Sequence, residues 1–310
     1  MEIVVFGAGS LGSLVGGLLA RTHDVTVVAR EPHASAVRES GLRLDGQFAD
    51  RVRPAATTDG RTIDADLAIV TVKSFDTETA AETLATGSFD AVCSLQNGMG
   101  NEERLAARLD CPVLAGTATY GAILQEPGVV DCTGLGEVVL GPRNGGQLPI
   151  ADRVGTAFST AAIEAIVADD MPRRLWEKLA INAGINAVTA LTRTENGAVL
   201  EADANDLART ATRETARVAR AVDVRLSNRD ALETMRDVAT TTAANRSSMA
   251  QDVDTDRRTE IDAINGYVVD RATEQGIDVP TNRILTALLR TWERGRGLRD
   301  DTGDSAPKSE

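Results

Sequence analysis

This chain carries nearly all its positive charge on arginine, so its few lysines stand out. Lys73, Lys178 and Lys308 stand beside 30 Arg. Lys178 lies in Leu175-Trp176-Glu177-Lys178-Leu179-Ala180-Ile181-Asn182-Ala183-Gly184-Ile185-Asn186, an otherwise apolar stretch. Lys178, Asn182 and Asn186 recur every fourth residue. On an α-helix each such step drifts by only about 40°, so the three share one face. A guanidinium stays charged, whereas an ammonium gives up a proton when its pKa is lowered. A lysine kept on a stripe with two amides therefore points to proton transfer. The competing explanation is a lysine that snorkels from a helix edge beside two surface asparagines.

A second constellation opens the chain. Glu2-Ile3-Val4-Val5-Phe6 suits a buried parallel strand, and Gly7-Ala8-Gly9-Ser10-Leu11-Gly12 follows it as a G-x-G-x-x-G. Ser13–Ala20 reads as a helix and Val25–Ala29 as the next strand. In that context Gly7 makes the tight turn, Gly9 admits the backbone to a pyrophosphate, and Gly12 lets helix and strand pack closely. The helix N-terminus supplies free N–H groups to the anion. The alternative is a glycine-rich turn with no ligand. Arg30 ends the second strand, where its planar fork matches a 2′-phosphate, and this favours NADPH. Glu31 beside it keeps NADH open by offering a carboxylate to the ribose hydroxyls.

Elements that position these groups follow along the chain. Leu67–Val72 reads as a strand running into Lys73, and Ala91–Leu95 as one running into Gln96-Asn97-Gly98-Met99-Gly100. Ligands in such sheets bind at the carboxyl ends of strands, which places Lys73 and Asn97 there. A strand-end surface charge and a turn asparagine are the plainer explanations. Pro112–Gly116 and Glu137–Gly141 read as further strands, with an antiparallel hairpin at the sheet edge between them. Beyond about residue 150 helical periodicity dominates, over 172–192, 201–223, 230–245, 248–275 and 281–294. Leu207, Ala211, Val218 and Val222 line the apolar side of 201–223. Ser248 and Gln251 form an S-x-x-Q capping box, and a helix start with a hydroxyl is also a place for a carboxylate. Glu260, further along that helix, precedes an apolar-rich turn and is either partly buried or a solvated helix acid.

Composition bounds the partners. The formal net charge of −13 disfavours nucleic acid and anionic membranes. Few lysines, many carboxylates and many small residues together fit adaptation to high salt, in which a dense carboxylate surface stays hydrated. Cys93, Cys111 and Cys132 are odd in number and widely spaced, which fits reduced thiols. His23 and His33 have no companions at metal-ligand spacing, so no metal site is expected. Without a basic leader or a long apolar run, a cytoplasmic protein is expected. The length accommodates an α/β architecture, an N-terminal Rossmann-type doubly wound sheet (1–165) followed by an all-helical C-terminal domain (166–294), and a disordered acidic tail (295–310).

The segments G-A-G-S-L-G, T-V-K-S, L-Q-N-G-M-G-N, W-E-K-L-A-I-N-A-G-I-N-A-V-T-A-L, S-S-M-A-Q-D and T-E-I-D-A-I-N-G, in this order, resemble those of the ketopantoate reductase family. Pro280-Thr281-Asn282 also fits. The resemblance implies hydride transfer from NADPH to the C2 ketone of ketopantoate, giving pantoate for coenzyme A synthesis. It implies that Lys178 is the general acid and that Asn182 and Asn186 orient it and the substrate. It places Asn196, Asn245 and Ser248 at the substrate, Ser248 facing the carboxylate. Gly7, Ala8, Gly9, Ser10, Leu11, Gly12, Arg30, Lys73, Asn97 and Glu260 fall on the cofactor side, and Glu260 also near the substrate hydroxyl. Ala122 joins them as a weaker match, because Tyr120-Gly121-Ala122 departs from the commoner pattern. Another small 2-oxo acid as substrate, or a non-catalytic NADPH sensor, are the competing functions. The assembly expected is a monomer or homodimer.

Overall fold

The computed structural model describes residues 1–299. The chain divides into two compact units, Met1–Arg174 and Leu175–Glu310. The first unit holds twelve strands: β1 (Glu2–Phe6), β2 (Asp24–Val28), β3 (Leu42–Gly46), β4 (Asp50–Val52), β5 (Ala55–Thr57), β6 (Ala65–Val70), β7 (Phe89–Ser94), β8 (Val113–Ala118), β9 (Gly121–Glu126), β10 (Val129–Gly134), β11 (Val138–Pro142) and β12 (Ala165–Val167). Its helices are α1 (Ser10–Leu19), α2 (His33–Ser40), α3 (Thr77–Leu84), α4 (Asn101–Ala106) and α5 (Pro149–Thr160).

Eight strands form one sheet in the order β12-β11-β8-β7-β6-β1-β2-β5. Every pairing in it is parallel except β11 with β8. The central strands are largely apolar and buried, as a sheet covered on both faces demands. Phe6 pairs with Val28 and with Val70, and Val70 pairs with Ser94. β1, β2, β6 and β7 therefore end level, and the loops that leave them share one edge. The sheet extends to Ala165–Val167 and the unit to Arg174, so the boundary lies beyond residue 165.

The expected hairpin exists as β9 and β10, but it does not edge the main sheet. β10 pairs in parallel with β3, and the order β4-β3-β10-β9 makes a separate four-stranded sheet. Its partner strands are short and charged (Leu42-Arg43-Leu44-Asp45) and pair across the chain at Val129↔Arg43, so local pattern does not reveal them. Helix α1 lies between the two sheets and is buried at every position from Gly12 to Leu19. A helix buried all round needs small residues wherever a neighbour approaches. A Cβ on Gly16 would stand 3.1 Å from Val27 Cγ1 and 3.3 Å from Val5 Cγ2 in the main sheet. A Cβ on Gly17 would stand 2.7 Å from Leu44 Cδ2 in the small one. Each glycine of the pair thus admits one sheet.

The second unit is helical: α6 (Met171–Thr192, beginning just before the division), α7 (Ala202–Ala221), α8 (Asn228–Thr241), α9 (Ser248–Asp254), α10 (Tyr267–Glu274) and α11 (Pro280–Gly295). The continuous helix expected over 248–275 is broken. α9 stops at Asp254, Asp256 adopts a left-handed φ of 47°, and a π-helical turn over Asp262–Gly266 precedes α10. The break has a donor–acceptor reason. The fully buried Glu293 carboxylate accepts from both the N–H and the hydroxyl of Thr259, at 2.8 and 2.6 Å, which replaces helical pairing there. Leu207 is 48% exposed instead of lining the core. Ala211 and Val218 are buried as expected, and where α6 comes close the inner face of α7 carries Ala208 and Thr212. A Cβ on Gly184 of α6 would stand 2.4 Å from Thr212 Oγ1.

The first part of the expected disordered tail is ordered. Arg299 donates to Glu293 Oε2 at 2.9 Å and pairs with Asp262, giving the buried carboxylate its cation. Asp300, Asp301, Asp304 and Lys308 lie outside the described residues.

Gly17→Val should lower stability by about 1–3 kcal/mol through overpacking against Leu44. Gly134→Ala, which meets open space, should stay within about 0.5 kcal/mol of wild type. Urea denaturation of the full chain checks both.

Candidate active site

The glycine loop leaves β1 at the shared carboxyl edge. Gly7 has φ +101°, and a Cβ there would stand 2.6 Å from Val72 Cγ1. A Cβ on Gly12 would stand 2.4 Å from Thr71 Oγ1 and 2.5 Å from Gly7 O. Thr71 Oγ1 donates to Gly7 O at 2.9 Å, so strand connection, loop and helix meet with no room for a side chain. Gly9 is different. A Cβ there would approach nothing nearer than 4.0 Å, so the space beyond it is open. Gly9 caps α1 without a side chain, and the first-turn N–H groups of Ser10, Leu11 and Gly12 precede the first intrahelical bond, Ser13 N to Gly9 O at 2.9 Å. The loop has the form that a pyrophosphate requires: closed behind, open in front, with donors and a helix dipole facing outward. Ala8 contributes its backbone, with N–H on Val28 O at 2.9 Å.

Along the same edge, β2 leads to Arg30. Its side chain is 90% exposed and pairs with Asp76 Oδ2 at 3.0 Å. Glu31 is turned away to α2, accepting from Ser35 N–H at 3.0 Å and from Arg38 at 2.7 Å. Hydrogen bonding from Ser35, then from Arg38, holds its carboxyl below the ordinary range. Arg30 is therefore the group that this strand end presents outward.

The strand expected to run into Lys73 ends at Val70. Lys73 instead opens a 3₁₀ turn over Ser74–Asp76, with extended φ and ψ and its carbonyl accepting from Asp76 N–H at 2.8 Å. β7 ends before Asn97, whose carbonyl accepts from Asn101 Nδ2 at 3.0 Å. Gln96 and Asn101, which carry no motif role of their own, join these two segments. Gln96 Nε2 donates to Val72 O at 3.1 Å and to Thr77 Oγ1 at 2.7 Å, and Thr77 donates to Asn101 Oδ1 at 2.9 Å. Their only signal was adjacency to Asn97 in L-Q-N-G-M-G-N. Ala122 lies on β9, opposite Cys132. That strand is fastened to the glycine loop where Leu124 N–H donates to Ser10 Oγ at 3.0 Å.

In the second unit Lys178, Asn182 and Asn186 stand on the uninterrupted helix α6, and Asn186 is buried. The hydroxyl cap of α9 belongs to Ser247, which accepts from Ala250 N–H at 3.1 Å. Ser248, expected as the cap, is the first helical residue, and its exposed hydroxyl has no capping duty. Ser247 Oγ also meets Thr189 Oγ1 at 2.8 Å, which brings Ser248 to the Asn186 end of the stripe. Asn196 N–H donates to Asn245 O at 2.9 Å, joining these two residues. Asn196 Nδ2 donates to Thr242 Oγ1 at 2.9 Å, and its buried Oδ1 lacks a protein partner.

Glu260 is buried in the turn before the π helix, not on a helix. It belongs to the unit of the Lys178 stripe, unlike the other residues expected on the cofactor side. Asn265 in that π helix donates to Ala183 O of α6 and to Asn282 Oδ1, both at 3.0 Å. Asn282 in turn donates to Glu214 Oε2 at 2.8 Å and to Ala211 O at 3.1 Å. This buried relay sets the Glu260 turn against the stripe. Asn265 and Asn282 sit in quoted motifs, whereas Glu214 had no local signal. Among the described residues no cluster of three or more His, Cys, Asp or Glu side chains could hold a metal, and no helix is long and apolar enough to cross a membrane.

A mostly parallel sheet with a glycine turn at its carboxyl edge defines a Rossmann-type dinucleotide-binding unit, here followed by a helical one carrying a lysine–asparagine stripe. Residues 3–145 match the family model described as Ketopantoate reductase PanE/ApbA, and residues 170–293 match Ketopantoate reductase PanE/ApbA C terminal. The chain belongs to the ketopantoate reductase family. It is 43% identical to the 2-dehydropantoate 2-reductase of Halobacterium salinarum, covering 95% of this chain and 99% of that protein. It is 40% identical to that of Archaeoglobus fulgidus, covering 95% and 98%. The crystal structure of a PanE/ApbA family ketopantoate reductase from Ralstonia eutropha JMP134 superposes with a TM-score of 0.88 at 34% identity, covering 96% of this chain and all of that one. D-mandelate dehydrogenase with NADH and anilino(oxo)acetate shares the fold, with a TM-score of 0.91 at 22% identity and coverage of 96% and 100%.

Glu102, in the first turn of α4, is a buried acid below the Asn97 loop, and its Oε1 has no protein partner. Burial raises its pKa from 4.5 to about 7. A carboxyl whose folded pKa exceeds its unfolded one stabilises fully below the unfolded value and loses that contribution as pH rises through the folded one. Glu102→Gln should therefore flatten the pH dependence of stability between about pH 4.5 and pH 7 and gain on the order of 1–3 kcal/mol over wild type at pH 8. Denaturant midpoints across that range check it. Gly12→Ala should weaken dinucleotide binding at least about tenfold, since its Cβ would overlap Gly7 O. Titration with NADPH measures this.

Proposed function

We propose that this protein reduces 2-dehydropantoate to (R)-pantoate with NADPH, with Lys178 as the proton donor. The observation that carries the reading is the Lys178–Asn182–Asn186 stripe on one unbroken helix in a chain of the ketopantoate reductase family. When bound, the dinucleotide supplies the hydride that reaches C2 of the 2-oxo acid. Negative charge then develops on the former carbonyl oxygen. The Lys178 ammonium stabilises that charge and transfers its proton to the same oxygen, which yields the 2-hydroxy acid and neutral lysine. Asn182 and Asn186 orient the ammonium and the substrate by amide hydrogen bonds. Asn196, Asn245 and Ser248 bind the substrate, Ser248 through its carboxylate. Glu260 takes a role on the cofactor side, and also at the substrate hydroxyl, by its match to the family motif.

On the cofactor side, Gly7 to Gly12 cradle the pyrophosphate, while Lys73, Asn97 and Ala122 line its course. Arg30 supports NADPH over NADH: its guanidinium faces outward and its five donors can keep Asp76 while binding a 2′-phosphate. Glu31 already spends its oxygens on α2. The acidic, lysine-poor composition further supports stability that depends on high salt; full stability in salt-free buffer would contradict this.

Loss of NADPH absorbance with 2-dehydropantoate tests the activity. Oxidation no faster than background, alongside turnover of another 2-oxo acid from a panel, would replace the substrate. Lys178→Ala should lower kcat by about 10²–10⁴-fold with near-normal NADPH binding, and Lys178→Arg should not restore it. Full activity in the arginine variant would remove lysine as the acid. Arg30→Ala should raise KM for NADPH about 10–100-fold and leave NADH almost unchanged.

A further inference from the structure

Beside the glycine loop runs a hydrogen-bond chain for which the reaction has no use. His33, the first residue of α2, is buried. Its Nδ1 lies 3.0 Å from Gly128 N and its Nε2 lies 3.0 Å from Ser13 Oγ. A backbone amide can only donate, so Nδ1 is the bare acceptor and the ring proton sits on Nε2. Nε2–H then donates to Ser13 Oγ, whose own hydrogen goes to Ala8 O at 3.1 Å. Each group in the chain has one role, and a neutral ring is required. Burial lowers the imidazole pKa, in keeping with that neutral ring.

The two ends of the chain are informative. One end is the Ala8–Gly9 peptide, held at its carbonyl by Ser13 and at Gly9 N–H by Gly7 O at 2.7 Å. That peptide sets the direction in which α1 starts. The other end is Gly128, the left-handed turn (φ +81°) between β9 and β10. The small sheet also grips α1 through Leu124 N–H on Ser10 Oγ. Two strands of a separate sheet, β9 and β10, are thus wired to the anion-facing turn.

We propose that His33 is a positioning residue for the dinucleotide: through Ser13 it fixes the Ala8–Gly9 peptide, and through Gly128 it makes the small sheet part of the cofactor site. The inference rests on the glycine loop being a dinucleotide cradle.

The test is fluorescence titration of the full chain with NADPH for wild type, Ser13→Ala, His33→Ala and His33→Gln. Each is accompanied by kcat and the KM for the 2-oxo acid at saturating NADPH, and by the melting temperature. Loss of a buried hydrogen bond should weaken NADPH binding about tenfold in Ser13→Ala and His33→Ala. In both, kcat and the 2-oxo acid KM should stay within about twofold of wild type, a range that near-neutral changes in transition-state energy allow. His33→Gln, whose amide can donate to Ser13, should recover most of the affinity. Unchanged affinity in both alanine variants would overturn the proposal. So would weaker NADPH binding together with a lower kcat, a higher 2-oxo acid KM and a lower melting temperature, which would mark a purely structural role. Should His33→Ala not fold, Ser13→Ala decides, because it removes a single hydroxyl. Wild type that does not bind NADPH would overturn the cofactor reading itself, and this result is recognisable because it precedes any substitution.

Discussion

The N-terminal unit depends on how closely one helix can approach its neighbours. Helix α1 lies between two sheets, and its glycines are where the contacts close. Gly12 abuts Thr71 and the Gly7 carbonyl, Gly16 the main sheet, and Gly17 the small one. This crowding leaves no slack behind the loop, while the space in front of Gly9 stays open. A helix held so firmly offers its N–H groups and dipole to an anion without reorganising, and such donors bind best when they are already in place.

The helical unit meets a comparable requirement with polar groups. The lysine–asparagine stripe stands on α6, and a buried relay from Glu214 through Asn282 and Asn265 reaches the Ala183 carbonyl on that same helix. A second buried acid, Glu293, folds the Thr259–Glu260 turn and takes its cation from Arg299. Buried carboxylates persist only when fully hydrogen-bonded or paired, so both acids specify one geometry for the segments around them. Small residues on the facing surfaces of α6 and α7 serve the same end by letting backbones approach.

Much of this was legible along the chain. Parallel strands announce themselves as short β-branched runs, and the glycine turn between strand and helix has few other uses. The α6 stripe follows from four-residue spacing alone. Local pattern fails where a neighbour distant in sequence decides the outcome. β3 and β10 pair across some eighty positions, at Leu44↔Val130 among others, so the hairpin joined a sheet that no local pattern marks. Leu207 is expected on the apolar side of α7 with Ala211 and Val218; those two are buried, but Leu207 is 48% exposed, and Ala208 and Thr212 stand where α6 comes close. Ser248 fitted a capping box, but Ser247, held by Thr189 from another helix, took the cap.

What the sequence determined by itself was the alternation of the central strands and helices, the glycine turn and which residues share the face of α6, because period, turn chemistry and spacing along a helix are local properties. Only tertiary structure decided which of two adjacent residues performs a task. It tied the exposed Glu31 to α2 and left Arg30 facing outward, and it broke the 248–275 helix at Thr259. It also assigned the tautomer of His33. Each of these outcomes was set by a hydrogen-bond partner or a close approach contributed from elsewhere in the chain, and a buried donor or acceptor must find such a partner wherever the fold supplies one.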